Sequence, residues 1–443
     1  MTEKLLGIIE APLVEVRFEE SWYTSIQFRG ADIDRVGTSI ERGGIIRGYD
    51  GELFSTIVFN NPDQLNKFSR IKMARKRDFA IQPPLKTEIQ VEKERDPRKV
   101  MLDEKISLLK RYNDIIASTK GMTSTNSLYR DQFRRRHYIN NHGREIIEET
   151  AYTGIALSGI ARDGMNVQVY GRTIGDQKGF NNLLGLEPIA EDVCAKTLEL
   201  VRADRVSSGV YDCVIDPELS GVFIHEAFGH LAEADHLYEN QELLDVMKIG
   251  RQIGCEQLSA VDDPTISLER GSYFYDDEGI EAQKTFLIKN GRIDNFLQTR
   301  ETAIRLSAEP TGNGRAINYN FPPIVRMSNT YILPGDKSKD EMISSLKRGL
   351  YVKGSKGGQT ALEDFIFAAR IAYLIEDGRI KEPIRDVIMS GNIFTTLKNI
   401  TSIGNDLTIH GGIGGCGKGG QSPLPVSDGG PHLLIKRVVI GGR

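Results

Sequence analysis

Cysteine is scarce in this 443-residue chain: Cys194, Cys213, Cys255 and Cys416 are the whole complement, and no two form a CxxC pair. That excludes the disulfide framework of a small secreted protein, so each thiol must be judged by its neighbours. Charge of one sign is also lacking. Fifty-seven Lys and Arg stand against 61 Asp and Glu, a net charge of -4, whereas a dedicated nucleic-acid binder carries a strong basic excess. No uncharged apolar run reaches the roughly 18 residues of a membrane span, and MTEKLLGIIE lacks the apolar core and cleavage site of a signal peptide. A cytoplasmic, unanchored chain with no membrane partner is expected, with nucleic acid an unlikely partner. No period of 20 to 50 residues recurs, which argues against a solenoid or propeller.

What is present is enough apolar residue, 39%, for two or three domains, each with a core. The first stretch reads as strands at Tyr23–Phe28, Gly44–Gly48 and Thr56–Phe59, the last two flanking an Asp50-Gly51 turn. Leu65, Phe68 and Ile71 fall at helical spacing after Pro62, and Leu102, Ile106, Leu109 and Ile116 mark a second amphipathic helix. Strands resume from Ile146 to Tyr170 around Asp163-Gly164, and Pro188 opens a helix with Ile189, Val193, Leu200 and Val201 on its apolar face. The fold class expected is α+β in two domains: an N-terminal α+β domain over residues 1–205, and a C-terminal antiparallel β-rich domain over 206–443. In the second, Ser338 and Glu341 form a capping box, while Asn290-Gly291 and Asp377-Gly378 each sit between apolar runs as hairpin turns.

Chemistry concentrates in His225-Glu226-Ala227-Phe228-Gly229-His230, an HExxxH one residue longer than HExxH. Histidines four apart share a helical face and can bind one zinc while the glutamate activates water. Five residues advance a regular helix by about 500°, leaving the second imidazole some 140° from the first. A wider i to i+5 turn would bring them together again, and Gly229 would ease that distortion. The three polar groups could instead form a plain polar face. Val222, Phe223, Ile224, Phe228 and Leu231 surround them, however, and buried imidazole and carboxylate need partners or an ion to offset desolvation. For a third ligand, spacing leaves Glu233, Asp235, His236 or a distant cysteine open.

The cysteine candidate is Cys416 in HGGIGGCGKGGQ, where glycines allow close backbone approach and nearby Lys418 could favour a thiolate; an inert cysteine is the alternative. The same stretch matches GxxxxGK and GxGxxG weakly. Gly419 stands where a Ser or Thr is needed, and Pro423 and Pro425 leave no helix to hold phosphate. A nucleotide-binding rival rests on these two matches alone.

HEAFGHLAEAD, DDEG at Asp276–Gly279, PTGNGR at Pro310–Arg315, NTYILPG at Asn329–Gly335, GND at Gly404–Asp406 and GGCGKGGQ, in this order, resemble the TldD/PmbA family of metallopeptidases. The likeness spans about residues 206–443 and is to the TldD-type catalytic member, since PmbA-type (TldE) partners lack HExxxH. The resemblance implies a zinc peptidase with His225, His230 and Cys416 as metal ligands, one Zn2+ per chain, and Glu226 as the general base toward the attacking water. It further implies unfolded peptide substrates held as an extended strand, and a homodimer or a heterodimer with a TldE/PmbA-like subunit. The competing reading is a non-catalytic peptide- or partner-binding subunit with a structural zinc site, against which the intact Glu226 argues.

Other charged stretches read more plainly. Lys67, Arg70, Lys72, Arg75, Lys76 and Arg77 suggest a solvated helix face, Arg134-Arg135-Arg136-His137 a surface patch. Asp276, Asp277 and Glu278 fit a second metal, a cleft floor or a charged turn, and Cys194 and Cys213 fit the core.

Overall fold

The computed structural model of the chain describes residues 5–441 apart from 62–64, 66–70, 78, 91–93, 239 and 362. Of the helix expected from Leu65, Phe68 and Ile71, Phe68 lies outside the described residues. Ile71–Lys72 is not helical but a short strand parallel to Ile9–Glu10, tied by the Ile71 N–H to the Ile8 carbonyl. Lys67 and Arg70 of the basic run also lie outside the described residues; Lys72 and Lys76 are exposed and pair with Glu10 and with Asp50 and Glu52.

The chain is mostly β with some helices, and its strands gather among the described residues into three main sheets. In the first, the order is Phe54–Phe59, Asp32–Tyr49, Leu13–Arg29, Met122–Asn140, Arg144–Asp163, with Leu85–Gln90 and Asn166–Asp176 both pairing to the last of these. The expected strand Thr56–Phe59 is found as the six-residue Phe54–Phe59, whereas Tyr23–Phe28 and Gly44–Gly48 are parts of strands of 17 and 18 residues. The amphipathic helices Leu102–Ser118 and Glu187–Arg202, expected from their periodicity, pack on this sheet. Their Leu109, Tyr112, Ala190 and Val193 share one core with Ile371, Ile375 and Leu434 of the second sheet.

That second sheet runs Asp204–Arg205, Arg379–Arg385, Asp364–Glu376, Arg348–Ala361, Gly209–Ile215, Leu433–Gly441, Ile388–Asn392. A third holds Arg292–Ile293, Thr285–Lys289, Ala260–Asp262, Asn329–Ile332, Ser427–Gly430 and Thr408–His410. The expected hairpins are there, with Asn290 and Gly291 at φ 51° and 73° and Asp377 and Gly378 at 47° and 72°, the positive angles a tight turn requires. A purely antiparallel sheet is not: Gly209–Ile215 runs parallel to Arg348–Ala361, and Asn329–Ile332 parallel to Ser427–Gly430. Between the second and third sheets lies the short helix Pro217–Ile224, the element that positions the site. No helix among the described residues is long and apolar enough to cross a membrane.

Candidate metal centre

Asp216 caps the Pro217–Ile224 helix, its carboxylate accepting from Leu219 N–H at 3.0 Å and from Gly354 N–H at 2.9 Å, which fastens the helix start to the neighbouring strand. Leu219, Phe223 and Phe228 are buried, and Phe223 meets the rings of Phe365 and Phe367 edge-on. On the other side the helix approaches Ser427–Gly430 so closely that a Cβ on Gly221 would lie 2.5 Å from the Gly429 nitrogen.

From His225 to Gly229 the helix widens into a π turn, and the His230 N–H donates to the His225 carbonyl five residues back at 3.3 Å. Both imidazoles therefore face one point, with ring centroids 5.3 Å apart and planes at 90°. Gly229 answers to space, not to a left-handed backbone, since a Cβ there would meet Met327 Sδ at 2.1 Å. Cys416 comes from the strand Cys416–Lys418, whose hairpin with Gln421–Leu424 is pinned by the fully buried Arg326. That guanidinium donates to the Cys416 carbonyl at 2.7 Å and to the Gln421 carbonyl at 3.2 Å. Arg326 was not anticipated, although an arginine inside the apolar Pro322–Met327 stretch is the kind of residue that needs a buried acceptor.

His225, His230 and Cys416 are the one group among the described residues able to hold a metal ion, their donor atoms all within 4.8 Å of one another. Cys416 Sγ lies 3.4 Å from His230 Nε2, matching the roughly 3.3–3.6 Å between ligands at 2.0–2.3 Å from one tetrahedral ion. His225 Nδ1 is buried and hydrogen-bonds to no protein atom. Two nitrogens and one sulfur fit zinc with an open fourth position. Glu226 stands beside them, partly exposed, its Oε2 4.0 Å from His230 Nε2.

The other candidates fall outside the cluster. Glu233 is fully buried with Oε2 2.8 Å from His230 Nδ1, the nitrogen that faces away from Cys416, and His236 Nε2 is 3.8 Å from the same carboxylate. Asp235 binds Lys418 Nζ at 2.5 Å. Lys418 also reaches the Val325 carbonyl at 3.0 Å and Glu233 at 3.1 Å, so its partners are carboxylates and a carbonyl, not the thiol. Burial opposes a thiolate at Cys416, but His225 and His230 outweigh it and bring the thiol down to about 5. Burial likewise disfavours charged imidazoles, yet contact with Cys416 raises His225, and Cys416 with Glu233 raises His230 to about 10. Glu233 is held down at about 2 against its burial by Lys418 and His230. Negative sulfur and carboxylate thus face positive rings, whose protons a divalent cation would displace.

Asp276, Asp277 and Glu278 are buried and already partnered: Asp276 accepts from the Glu278, Ile280 and Gly314 N–H groups at 2.9, 2.8 and 2.8 Å, Asp277 meets Arg136 at 2.6 Å and Arg134 at 3.1 Å, and Glu278 meets Arg47 at 3.1 Å. The expected Arg134–His137 surface patch is corrected by these contacts, for Arg134 and Arg136 point into the protein and only Arg135 is well exposed. Cys194 and Cys213 are buried.

Family models for the PmbA/TldA metallopeptidase match along the chain, the C-terminal domain at residues 208–442, the central domain at 95–201 and domain 1 at 14–74. The chain belongs to the PmbA/TldD metallopeptidase family. A metalloprotease of Synechocystis sp. is 36% identical over 98% of this chain and 95% of its own length. A zinc metalloprotease TldD homolog of Saccharolobus solfataricus is 32% identical over 71% of this chain and 70% of its own. The fold is also that of TldE from Thermococcus kodakarensis, with a TM-score of 0.76 at 19% identity, covering 99% of this chain and 98% of that one. This family member is accordingly a peptidase, and its His225, His230 and Cys416 lie within the C-terminal family domain.

Proposed function

We propose that this chain hydrolyses unfolded peptides with one zinc ion held by His225, His230 and Cys416 and with Glu226 as general base. The observation that carries the proposal is the convergence of two imidazoles and a thiol beside a carboxylate that remains open to solvent. When bound, the ion would supply Lewis acidity at the peptide carbonyl. Glu226 takes the proton of the attacking water and delivers it to the leaving amine. Glu233 and Lys418 hold His230 and the Cys416 strand in place from outside the cluster. Unfolded substrates fit a site set between two sheets, where an extended strand can pair by its backbone with little regard to side chains. The working unit in this reading is cytoplasmic, a homodimer or a pair with a TldE-like subunit, the second supported by the likeness to TldE, and in the same reading each chain divides near residue 205 into two domains.

Cleavage of an unstructured peptide mixture by wild type beside Glu226→Ala, with zinc quantified in both, tests the proposal. Equal zinc and a loss of about 10²–10⁴-fold in the variant is expected. Undiminished cleavage by Glu226→Ala removes Glu226 from the mechanism. Equal zinc with no cleavage by either favours the non-catalytic subunit with a structural zinc.

A further inference from the structure

The loop that leads into Cys416 lies on the first sheet. A Cβ on Gly154 would meet Ile413 Cγ2 at 2.4 Å, one on Gly175 would meet the Gly412 carbonyl oxygen at 2.4 Å, and the Ile413 N–H donates to Thr173 Oγ1 at 3.1 Å. Beside this seat opens a cleft of about 370 Å³, walled by the sheet on one side and by Ile413, Pro423 and Pro425 on the other. Three arginines line it, and they differ in partners. Arg134 is neutralised by Glu19 at 2.6 Å and Asp277 at 3.1 Å. Arg130, on the same face of its strand two pairs along, is exposed and meets no carboxylate among the described residues.

Arg270 is only 9% exposed and also lacks a carboxylate; its Nε and Nη2 share the Gly414 carbonyl at 3.3 and 3.1 Å, and it lies over the Tyr152 ring at 5.5 Å. A single carbonyl leaves a guanidinium's charge uncompensated, and burying such a charge is costly. That cost is visible in its acidity, since burial, with Arg130 adding to it, pushes Arg270 down to about 10. The acids at the cleft do not relieve it: Asp131 is taken by Lys105 at 2.5 Å, and Glu41 is exposed at the rim.

We propose that this cleft is a carboxylate subsite of the peptide channel, in which Arg130 and Arg270 receive either the free carboxyl end of a substrate or an Asp or Glu side chain. The inference rests on the peptidase reading and names its substrate class. Gly414, which Arg270 grips, is two residues before Cys416, a stretch of at most about 7 Å. An anchored carboxylate would therefore lie within a few residues of the bond cut, and anchoring by the chain end would release short carboxy-terminal fragments.

Binding of a dye-labelled unstructured peptide to the zinc-loaded Glu226→Gln chain, followed by fluorescence anisotropy, tests this without turnover. The peptide is offered as free acid, as carboxy-terminal amide, and as amide with one internal glutamate. The free acid should bind about tenfold or more tightly than the plain amide, as a charge-assisted pair implies. Arg130→Met and Arg270→Met should close that gap, and Arg270→Lys should keep part of it. If Arg270→Met does not fold, Arg130→Met on the exposed rim decides. Tight binding restored by the internal glutamate identifies a side-chain subsite, and tight binding confined to the free acid identifies a chain-end subsite. Equal affinity for all three peptides, or no binding of any, overturns the subsite even if wild type cleaves them. A persisting gap with no cleavage by wild type leaves the subsite standing and overturns the peptidase reading.

Discussion

His230 has two ring nitrogens with different neighbours, Nε2 3.4 Å from Cys416 Sγ and Nδ1 2.8 Å from Glu233 Oε2. A proton on Nδ1 shared with a carboxylate fixes the tautomer that leaves Nε2 free to ligate. Lys418, 3.1 Å from the same carboxylate, keeps Glu233 charged in spite of complete burial and ties the Cys416 strand to the helix that carries both histidines. Glu233→Gln should therefore weaken zinc binding about 10–100-fold. Chelator competition measures it, and an affinity equal to wild type would show that Glu233 does not orient the ring. Spacing had admitted Glu233 as a ligand, because three residues past His230 suits a ligand and a partner for its far nitrogen equally well. Which one it is depends on where Cys416 arrives, and that is set by a hairpin 186 residues away.

Helix Pro217–Ile224 can hold its histidines toward Cys416 only if it lies flat on strand Ser427–Gly430. Two glycines make room at different places. At Gly221 an added Cβ would meet backbone, Gly429 N at 2.5 Å and Gly429 Cα at 2.7 Å, and neither can yield without moving the strand. At Gly229 it would meet the Met327 sulfur at 2.1 Å, on a side chain that can swing aside. Gly221→Ala should thus cost about 1–3 kcal/mol and reduce zinc content, and Gly229→Ala should cost less. Thermal unfolding of the metal-free proteins ranks them; the reverse order would mean that the π turn, and not the strand, limits the helix. At this scale many of the local signals were legible, though not the helical spacing that ends at Ile71, which the pairing of Ile71–Lys72 with Ile9–Glu10 overrides. The two hairpin turns, the capping box at Ser338 and the helices Leu102–Ser118 and Glu187–Arg202 follow from residues within one turn or one face. Strand direction was not, since Gly209–Ile215 runs parallel to a partner that begins at Arg348.

Across the whole molecule the two halves are joined by buried charge. Arg17, Arg134 and Arg136 of the first sheet converge on Asp277 at 3.6, 3.1 and 2.6 Å, Arg47 bridges Glu15 at 2.7 Å and Glu278 at 3.1 Å, and Arg300 returns to Glu15 at 2.9 Å. The run Arg134–His137, read as surface for want of aromatic interleaving, finds its partners on other strands, Glu19 for Arg134 and Glu148, opposite it across the strand pair, for Arg136. In a strand, residues 134 and 136 share one face and 135 the other, and the carboxylate that both arginines share, Asp277, lies some 140 residues on. Burial opposes ionisation of Asp277, but the three guanidinium groups outweigh it and hold the carboxyl well below its ordinary range. In the pH interval between the depressed folded value and the unfolded one near 3.9, the unfolded chain binds more protons, so stability there rises with pH. Asp277 thus contributes its full stability above about pH 4 and loses it as the pH falls further. Asp277→Asn leaves three buried arginines around a neutral amide and should cost about 3–5 kcal/mol at neutral pH. Its melting temperature should also fall less steeply in acid than that of wild type, because the group whose titration drives part of that fall is gone. Parallel melting curves from pH 7 down to 3, offset but equal in slope, would instead place the acid sensitivity in other carboxylates and leave Asp277 a packing contact between the halves.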